Sequence, residues 1–252
     1  MNLSCSIVIP IKDEAENILP LIAETQGVCE EIPGLLYEII VVDDGSTDAS
    51  RTLLAQALRT NPRLRVIYHR MNAGQSAAVV SGVRVAQYPW IFTLDGDGQN
   101  PPHDLVIFLD KLISVGDKKP HEVFFIGHRM MRNDGFLRKL STKIAYIVRN
   151  WMLNDGCLDA GCATKLFARD AFLRLPRFDH MHRFLGCLFK YQGAEIVNIP
   201  VSHRPRTSGV SKYTINNRLW VGIRDLFGVR WLLARKRAWA NPLLTETGDN
   251  YE

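Results

Sequence analysis

Asp95 and Asp97 close an apolar run, Trp90-Ile-Phe-Thr-Leu-Asp-Gly-Asp-Gly-Gln99. Two carboxylates separated by a glycine at the end of a β-like run suit a hard divalent cation. Mg²⁺ and Mn²⁺ take oxygen ligands and share their coordination with a substrate's phosphates. The same triplet also serves as an ordinary polar turn, so it needs support. A second carboxylate pair supplies it in Tyr37-Glu-Ile-Ile-Val-Val-Asp-Asp-Gly-Ser-Thr-Asp48. There a buried strand over residues 39–42 stops at Asp43 and Asp44, Gly45 permits a tight turn, and Thr47 or Asp48 is placed to cap a helix over residues 49–58. Ligands of open α/β sheets bind beyond the carboxyl ends of the strands, so both pairs become candidates for one rim.

The elements that would position them follow a βαβ rhythm. Strands are predicted over residues 5–10, 39–42, 65–68 and 90–94, with helices over 16–28, 49–58 and 75–86 between them. This alternation implies a mostly parallel sheet covered by helices. After Pro101-Pro102 a helix is expected over 104–113, a further strand over 123–126, and an edge or sheet strand over 194–201. The region between these last two reads as less regular, and no repeat or low-complexity linker forces an independent second domain.

With 252 residues, 46% of them apolar, the chain can bury one large core or a core with a modest appendage. The five cysteines lack zinc-finger spacing and read as reduced thiols. A net charge of +5 suits an anionic partner, either a phosphorylated ligand or a membrane surface. No nucleic acid is expected, because no aromatic RNA-binding motif, zinc finger or helix-turn-helix pattern accompanies the charge. Lys12-Asp-Glu14 follows the first strand where a dinucleotide fold would carry GxGxxG, and no GxxxxGK(S/T) loop occurs, which argues against dehydrogenase and ATPase activity. The short apolar run 5–10 lacks the form of a signal peptide, so a cytoplasmic location is expected.

Taken in order, Pro10-Ile-Lys-Asp-Glu14, Asp43-Asp-Gly-Ser46, Asn72-Ala-Gly74 and Asp95-Gly-Asp97 resemble a family 2 glycosyltransferase with a GT-A nucleotide-sugar-binding fold. Arg206-Thr-Ser-Gly-Val-Ser-Lys-Tyr213 is similar to the basic loop of dolichyl-phosphate mannosyltransferases and bacterial polyprenyl-phosphate glycosyltransferases. The resemblance implies a catalytic domain over residues 1–213 and an amphipathic extension over 214–252. It implies that Glu14 and Asp44 contact base or ribose, that Pro10 and Asp43 shape the loops, and that Asn72 and Gly74 approach the nucleotide or support its pocket.

By the same resemblance Asp97 is a direct ligand of Mg²⁺ or Mn²⁺, with Asp95 acting through sugar or water contacts at the metal-diphosphate assembly. Gln99 resembles part of an extended acidic motif that orients donor or acceptor, although a local hydrogen bond would explain it equally. Arg206 and Lys212 would steady the diphosphate, the arginine in a directed, bidentate manner and the lysine as a movable point charge. Asp159, in Asp-Ala-Gly-Cys-Ala-Thr-Lys165, matches a region near the acceptor site. It would be a general base for a hydroxyl acceptor, or would orient a lipid monophosphate, whose second pKa near ~6 makes activation less necessary. Arg129 and Arg132 are either further phosphate contacts or solvent-facing charges. His182 and Arg183 stay outside this set.

Leu137, Leu140, Ile144, Ile147 and Trp151 recur at helical spacing beside Arg138, Lys139, Lys143 and Arg149. The pattern fits a helix lying on anionic lipid, or an ordinary surface helix over the sheet. A second stretch, residues 219–233, mixes apolar residues with charges and reads as interfacial, since a span needs about 20 predominantly apolar residues. The expectation is a peripheral enzyme on the cytoplasmic face of a membrane, or one relying on a separate membrane protein. Its expected reaction is inverting transfer of a hexosyl group from a UDP- or GDP-linked donor to polyprenyl phosphate. The alternatives are transfer to a carbohydrate or lipopolysaccharide hydroxyl, and a catalytically silent nucleotide-sugar-binding protein.

Overall fold

The structure is a computed structural model that describes residues 3–116, 120–129, 146–205 and 215–235. The chain divides into two compact units, Met1–Lys212 and Tyr213–Glu252. In chain order the first unit contains β1 (Ser4–Ile11), α1 (Ile18–Glu31), β2 (Leu36–Asp43), α2 (Ser50–Ala57), β3 (Leu64–Tyr68), α3 (Gln75–Val85), β4 (Trp90–Thr93) and α4 (Asp104–Ser114). After them come β5 (Val123–Arg129), helical residues 146–153 (α5), β6 (Lys165–Ala168), α6 (Arg169–Leu173), α7 (Leu185–Tyr191) and β7 (Glu195–Val201). Among the described residues the second unit contributes one helix, α8 (Ile215–Ala234).

Seven strands form one sheet in the order β3-β2-β1-β4-β6-β5-β7. The pairs β1–β2, β2–β3, β1–β4 and β5–β7 are parallel, whereas β6 runs antiparallel to both its neighbours. The expected mostly parallel sheet is therefore present, with one antiparallel strand that the sequence reading did not include. Strand β1 is buried on both faces, with Cys5, Ile7, Val8 and Ile9 fully inaccessible, as a central strand covered by helices requires. On one face Ile7, Ile9, Ile39 and Val41 pack with Ile18, Leu21 and Ile22 of α1 and with Leu105, Phe108 and Leu109 of α4. Phe108 meets Phe92 edge-on at 5.3 Å between ring centroids. On the other face α3 lies so close that a Cβ on Gly82 would sit 2.5 Å from Val8 Cγ1. Further along, Phe124, Phe167 and Phe189 stack between the sheet and α7.

Register sets the height of the rim. Ile11 pairs with Asp43, but Val8 pairs with Thr93, so β4 ends three residues before β1 does. The chain beyond Thr93 therefore runs alongside the last residues of β1, with Leu94 N donating to Val8 O. Gly96 makes this possible, because a Cβ there would lie 2.5 Å from Ile11 Cγ2 and 3.2 Å from Pro10 O. Strand β6 starts at this same rim, since Lys165 pairs with Thr93 on one side and Ile126 on the other.

One buried network braces the sheet beneath α3. Glu38 accepts hydrogen bonds from Ser6 Oγ (2.7 Å), Gln87 N (2.6 Å) and Arg65 Nη1 (2.8 Å). Truncation would leave the Gln87 amide without its acceptor and the Arg65 charge with only the Val85 carbonyl. Glu38→Ala is expected to cost about 3 kcal/mol in urea unfolding and Glu38→Gln about half of that, with nucleotide binding by the folded variants unchanged.

Candidate active site

Three loops meet where β1, β2 and β3 end. Lys12 Nζ donates to Gly45 O at 3.1 Å, Asp13 N to Ser46 Oγ at 2.8 Å, Glu14 N to Ser50 Oγ at 3.0 Å and Ala15 N to Asp48 Oδ2 at 3.0 Å. Asp13 takes a left-handed φ of 51°, and its Oδ1 accepts from Thr47 N at 2.7 Å. Such a conformation persists in a non-glycine residue where its surroundings hold it. Asp48 also receives Ser50 N at the start of α2, while Thr47 turns toward Asp13. Gly45, at φ 71°, lies under the third loop, where a Cβ would come within 2.7 Å of Asn72 N.

The second carboxylate pair organises this floor. Asp43, fully buried, accepts from Arg51 Nε at 2.7 Å and from Ser46 N at 2.9 Å. Asp44 accepts from His69 Nδ1 (2.7 Å), Ala73 N (2.8 Å) and Gly74 N (2.7 Å). With that carboxylate ionised, Nδ1 of His69 carries the proton and Nε2 accepts from Ser81 Oγ at 2.8 Å. Asn72 Oδ1 also receives Gly74 N at 3.0 Å, and Glu14 Oε2 receives Asn17 Nδ2 at 2.8 Å. Asp43 and Asp44 thus bind the loops to one another through several protein hydrogen bonds, while Pro10 lies where β1 meets Gly96.

The first carboxylate pair sits beside this floor. Asp95 Oδ1 accepts from Gln75 Nε2 at 2.8 Å, the first residue of α3 and the one after Gly74. Desolvation pushes the Asp95 carboxyl up to about 6, and Asp97 pushes in the same direction, while Lys165 and Arg129 offset part of the effect. Asp97 Oδ1 accepts from Gln99 N at 3.1 Å. Gln99 is tied to the chain beyond β7, its O accepting from Arg204 N at 2.9 Å. Arg204 in turn makes a bidentate pair with Glu24 of α1 at 2.9 and 2.7 Å.

Across the rim, Arg129 forms a bidentate pair with Asp159, Nε to Oδ2 at 2.7 Å and Nη2 to Oδ1 at 3.0 Å. Lys165 is buried, donates to Cys162 O, and has its pKa lowered by desolvation against the pull of nearby Cys162 and Asp95. The structure therefore gathers Asp95, Asp97, Arg129, Asp159 and Lys165 at one end of the sheet, with Glu14, Asp43, Asp44, Asn72 and Gly74 adjoining. Arg132, Arg206 and Lys212 lie outside the described residues. Among the described residues no three His, Cys, Asp or Glu side chains cluster as a ready metal cage. Two carboxylates held against mutual repulsion nevertheless fit Mg²⁺ or Mn²⁺, which complete their shells with water and substrate phosphates.

Residues 6–175 match the family model described as glycosyl transferase family 2. The chain belongs to glycosyltransferase family 2. Dodecaprenyl-phosphate galacturonate synthase of Rhizobium johnstonii is 30% identical over 239 residues, covering 93% of this chain and 69% of that protein. Undecaprenyl-phosphate 4-deoxy-4-formamido-L-arabinose transferase of Salmonella enteritidis PT4 is 30% identical over 210 residues, covering 83% of this chain and 62% of its own length. The chain thus spans about two thirds of these relatives. Among solved structures, mannosyl-3-phosphoglycerate synthase from Rubrobacter xylanophilus superposes with a TM-score of 0.65 at 16% identity, covering 98% of this chain and 80% of that one. Glucosyl-3-phosphoglycerate synthase from Mycobacterium tuberculosis, crystallised with Mn²⁺, UDP and glucosyl-3-phosphoglycerate, gives 0.61 at 17%, covering 92% and 80%. The family match and these neighbours establish the GT-A fold.

Sequence reasoning passed over Lys165 and Gln75. Lys165 stood inside a stretch read for Asp159, and Gln75 was assigned only as the start of a helix. His182, set aside as one of a His-Arg pair, lies against Ser76 of α3, with Nδ1 2.8 Å from Oγ. The strain on Asp95 is measurable. Its folded pKa lies above the ordinary carboxylate value, so its ionisation disfavours the fold: the cost is absent below about pH 4, grows as pH rises, and is complete above about 6. Asp95→Asn is expected to raise stability near pH 7.5 by roughly 1–2 kcal/mol and leave it unchanged near pH 4, read as melting temperatures in the two buffers.

Proposed function

We propose that the protein is an inverting glycosyltransferase that moves a hexosyl group from a nucleotide sugar to polyprenyl phosphate. The observation that carries this reading is the cationic side of the rim, where Arg129 and Lys165 adjoin the carboxylate pair that suits a donor's metal and diphosphate. A phosphate acceptor needs such cations and needs no strong base, since its second pKa is near ~6. The bidentate grip of Arg129 on Asp159 favours the same acceptor, because a carboxylate held by a guanidinium is a weaker base toward a hydroxyl. The names of both curated relatives, which specify polyprenyl-phosphate products or substrates, support it as well.

In this reading the loops at Glu14, Asp44, Asn72 and Gly74 form the nucleoside floor. Asp97 and Asp95 would hold Mg²⁺ or Mn²⁺, which when bound supplies charge stabilisation for the departing diphosphate. Gln75 orients Asp95, and Gln99 joins the acidic turn to the chain at Arg204. Arg206 and Lys212 remain part of the proposal as diphosphate contacts. The acceptor phosphate, steered by Arg129 and Lys165, attacks the anomeric carbon from the side opposite the leaving nucleotide. Asp159 positions the Arg129 guanidinium for this task. The donor base, UDP or GDP, is left open by this set of contacts.

A peripheral membrane location forms part of the same proposal. Among the described residues no helix is long and apolar enough to cross a membrane. Helix α8 exposes Ile223, Phe227 and Trp231 at four-residue intervals, and α5 exposes Ile147 and Trp151 at the same spacing. Apolar stripes of this kind on a basic chain suit the headgroup boundary of an anionic bilayer.

Incubation with a panel of UDP and GDP sugars, Mn²⁺ and undecaprenyl phosphate should yield a mass-shifted glycolipid and the matching nucleoside diphosphate. Oligosaccharides should yield no product, and transfer to them alone would sink the proposal. Asp97→Asn is expected to lower turnover by about 100-fold or more while the melting temperature holds. Arg129→Gln is expected to raise KM for polyprenyl phosphate by roughly 10-fold or more with a much smaller change for the donor.

A further inference from the structure

The first turn of α3 faces two ways. Gln75 holds Asp95, and the next residue, Ser76, holds His182 in the 3₁₀ turn Met181–Arg183. Ser76 Oγ accepts the backbone N–H of His182 at 3.2 Å and lies 2.8 Å from its Nδ1. Among the described residues the hydroxyl proton of Ser76 has no other acceptor. It therefore points at Nδ1, and the neutral imidazole carries its proton on Nε2. That Nε2–H makes no hydrogen bond among the described residues, and the residue is only half-buried.

The turn that presents the ring is itself held in an unusual shape. His180, just before it, adopts a left-handed φ of 64°, a conformation that a non-glycine residue keeps only where the surroundings impose it. Burial pushes the pKa of His182 down to about 3, and Lys165, Arg183 and His180 act in the same direction. The ring thus stays uncharged, near enough to Lys165 to feel its charge, and its partner Ser76 is one residue of α3 away from the group that orients Asp95. A neutral N–H without an acceptor among the described residues is a fixed donor, and the nearby charge of Lys165 is one suited to phosphate.

We propose that His182 is a substrate-contacting residue whose Nε2–H donates to a phosphoryl oxygen at the Asp95–Lys165 end of the rim, with Ser76 as its positioning residue. The inference rests on the phosphate chemistry proposed above. The oxygen belongs either to the donor's diphosphate or to the acceptor's monophosphate, and direct binding separates the two. Titration of UDP and GDP with Mn²⁺, and separately of undecaprenyl phosphate in detergent, would be run on the full chain and on its H182A, H182Q and S76A variants, alongside their melting temperatures.

H182A is expected to weaken one of the two ligand classes by roughly 10-fold with its melting temperature little changed. Weaker nucleotide binding would assign the oxygen to the donor, and weaker lipid-phosphate binding would assign it to the acceptor. H182Q, which can present an N–H from a similar position, should recover most of the loss. S76A should fall between H182A and the unaltered protein, and the double variant should bind no worse than H182A alone. Equal binding of both ligands by H182A would overturn the proposal, as would H182Q losing binding and melting temperature as fully as H182A. Should the unaltered protein make no glycolipid while H182A still loses nucleotide or lipid-phosphate affinity, the transfer reading fails and the assignment of His182 stands.

Discussion

Carboxylates gathered at the end of one sheet repel each other and lose hydration, so each must be answered by a donor or a cation. That requirement explains most of the polar architecture. Arg51 and Ser46 answer Asp43, His69 and two loop amides answer Asp44, and Arg129 answers Asp159. Asp95 is answered least well, by one amide of Gln75 and by the more distant charges of Lys165 and Arg129. In the proposed function, the residual repulsion between Asp95 and Asp97 is where a divalent cation would bring the missing positive charge. Stability lost to that repulsion would then be recovered on binding.

Steric fit sets this electrostatic arrangement at its working height. The acidic turn can lie along β1 only because residue 96 has no side chain, and the floor can close over β2 only because residue 45 has none. These close approaches place the Asp95 turn against Pro10 and the Asp43 turn against Met71 and Asn72. A methyl group at either position would push apart the backbones that hold the carboxylates together.

Much of this was legible in the sequence. The strands ending in acidic pairs, the helices between them and the rim they share follow from apolar runs stopped by Asp and Gly, because parallel buried strands leave that signature. The GT-A resemblance rested on the same ordered motifs. Strand β6 was not legible, since Lys165-Leu-Phe-Ala168 is too short for a period and begins with a charge. Lys165 went with it, whereas Arg129 had already been read as a candidate phosphate contact. His182 was left outside the set for a related reason: its partner Ser76 is 106 residues away, and only the docking of the 3₁₀ turn on α3 brings them together. Asp44, expected to contact base or ribose, also accepts hydrogen bonds from His69, Ala73 and Gly74, a pairing that spacing alone does not reveal.

The place of β6 in the sheet has a consequence for how the chain assembles. Strand β5 touches only β6 and β7 within the sheet, so it has nothing to pair with until residues far beyond it have been made. On the ribosome, where synthesis runs at about 5–20 residues per second, the half-sheet β3-β2-β1-β4 can form first, with its acidic edge already in place. Arg129 and Lys165 join that edge only when the antiparallel strand docks. A nascent chain stalled before residue 165 would carry the anionic half of the candidate site and an unsealed strand at β4, a natural client for chaperones.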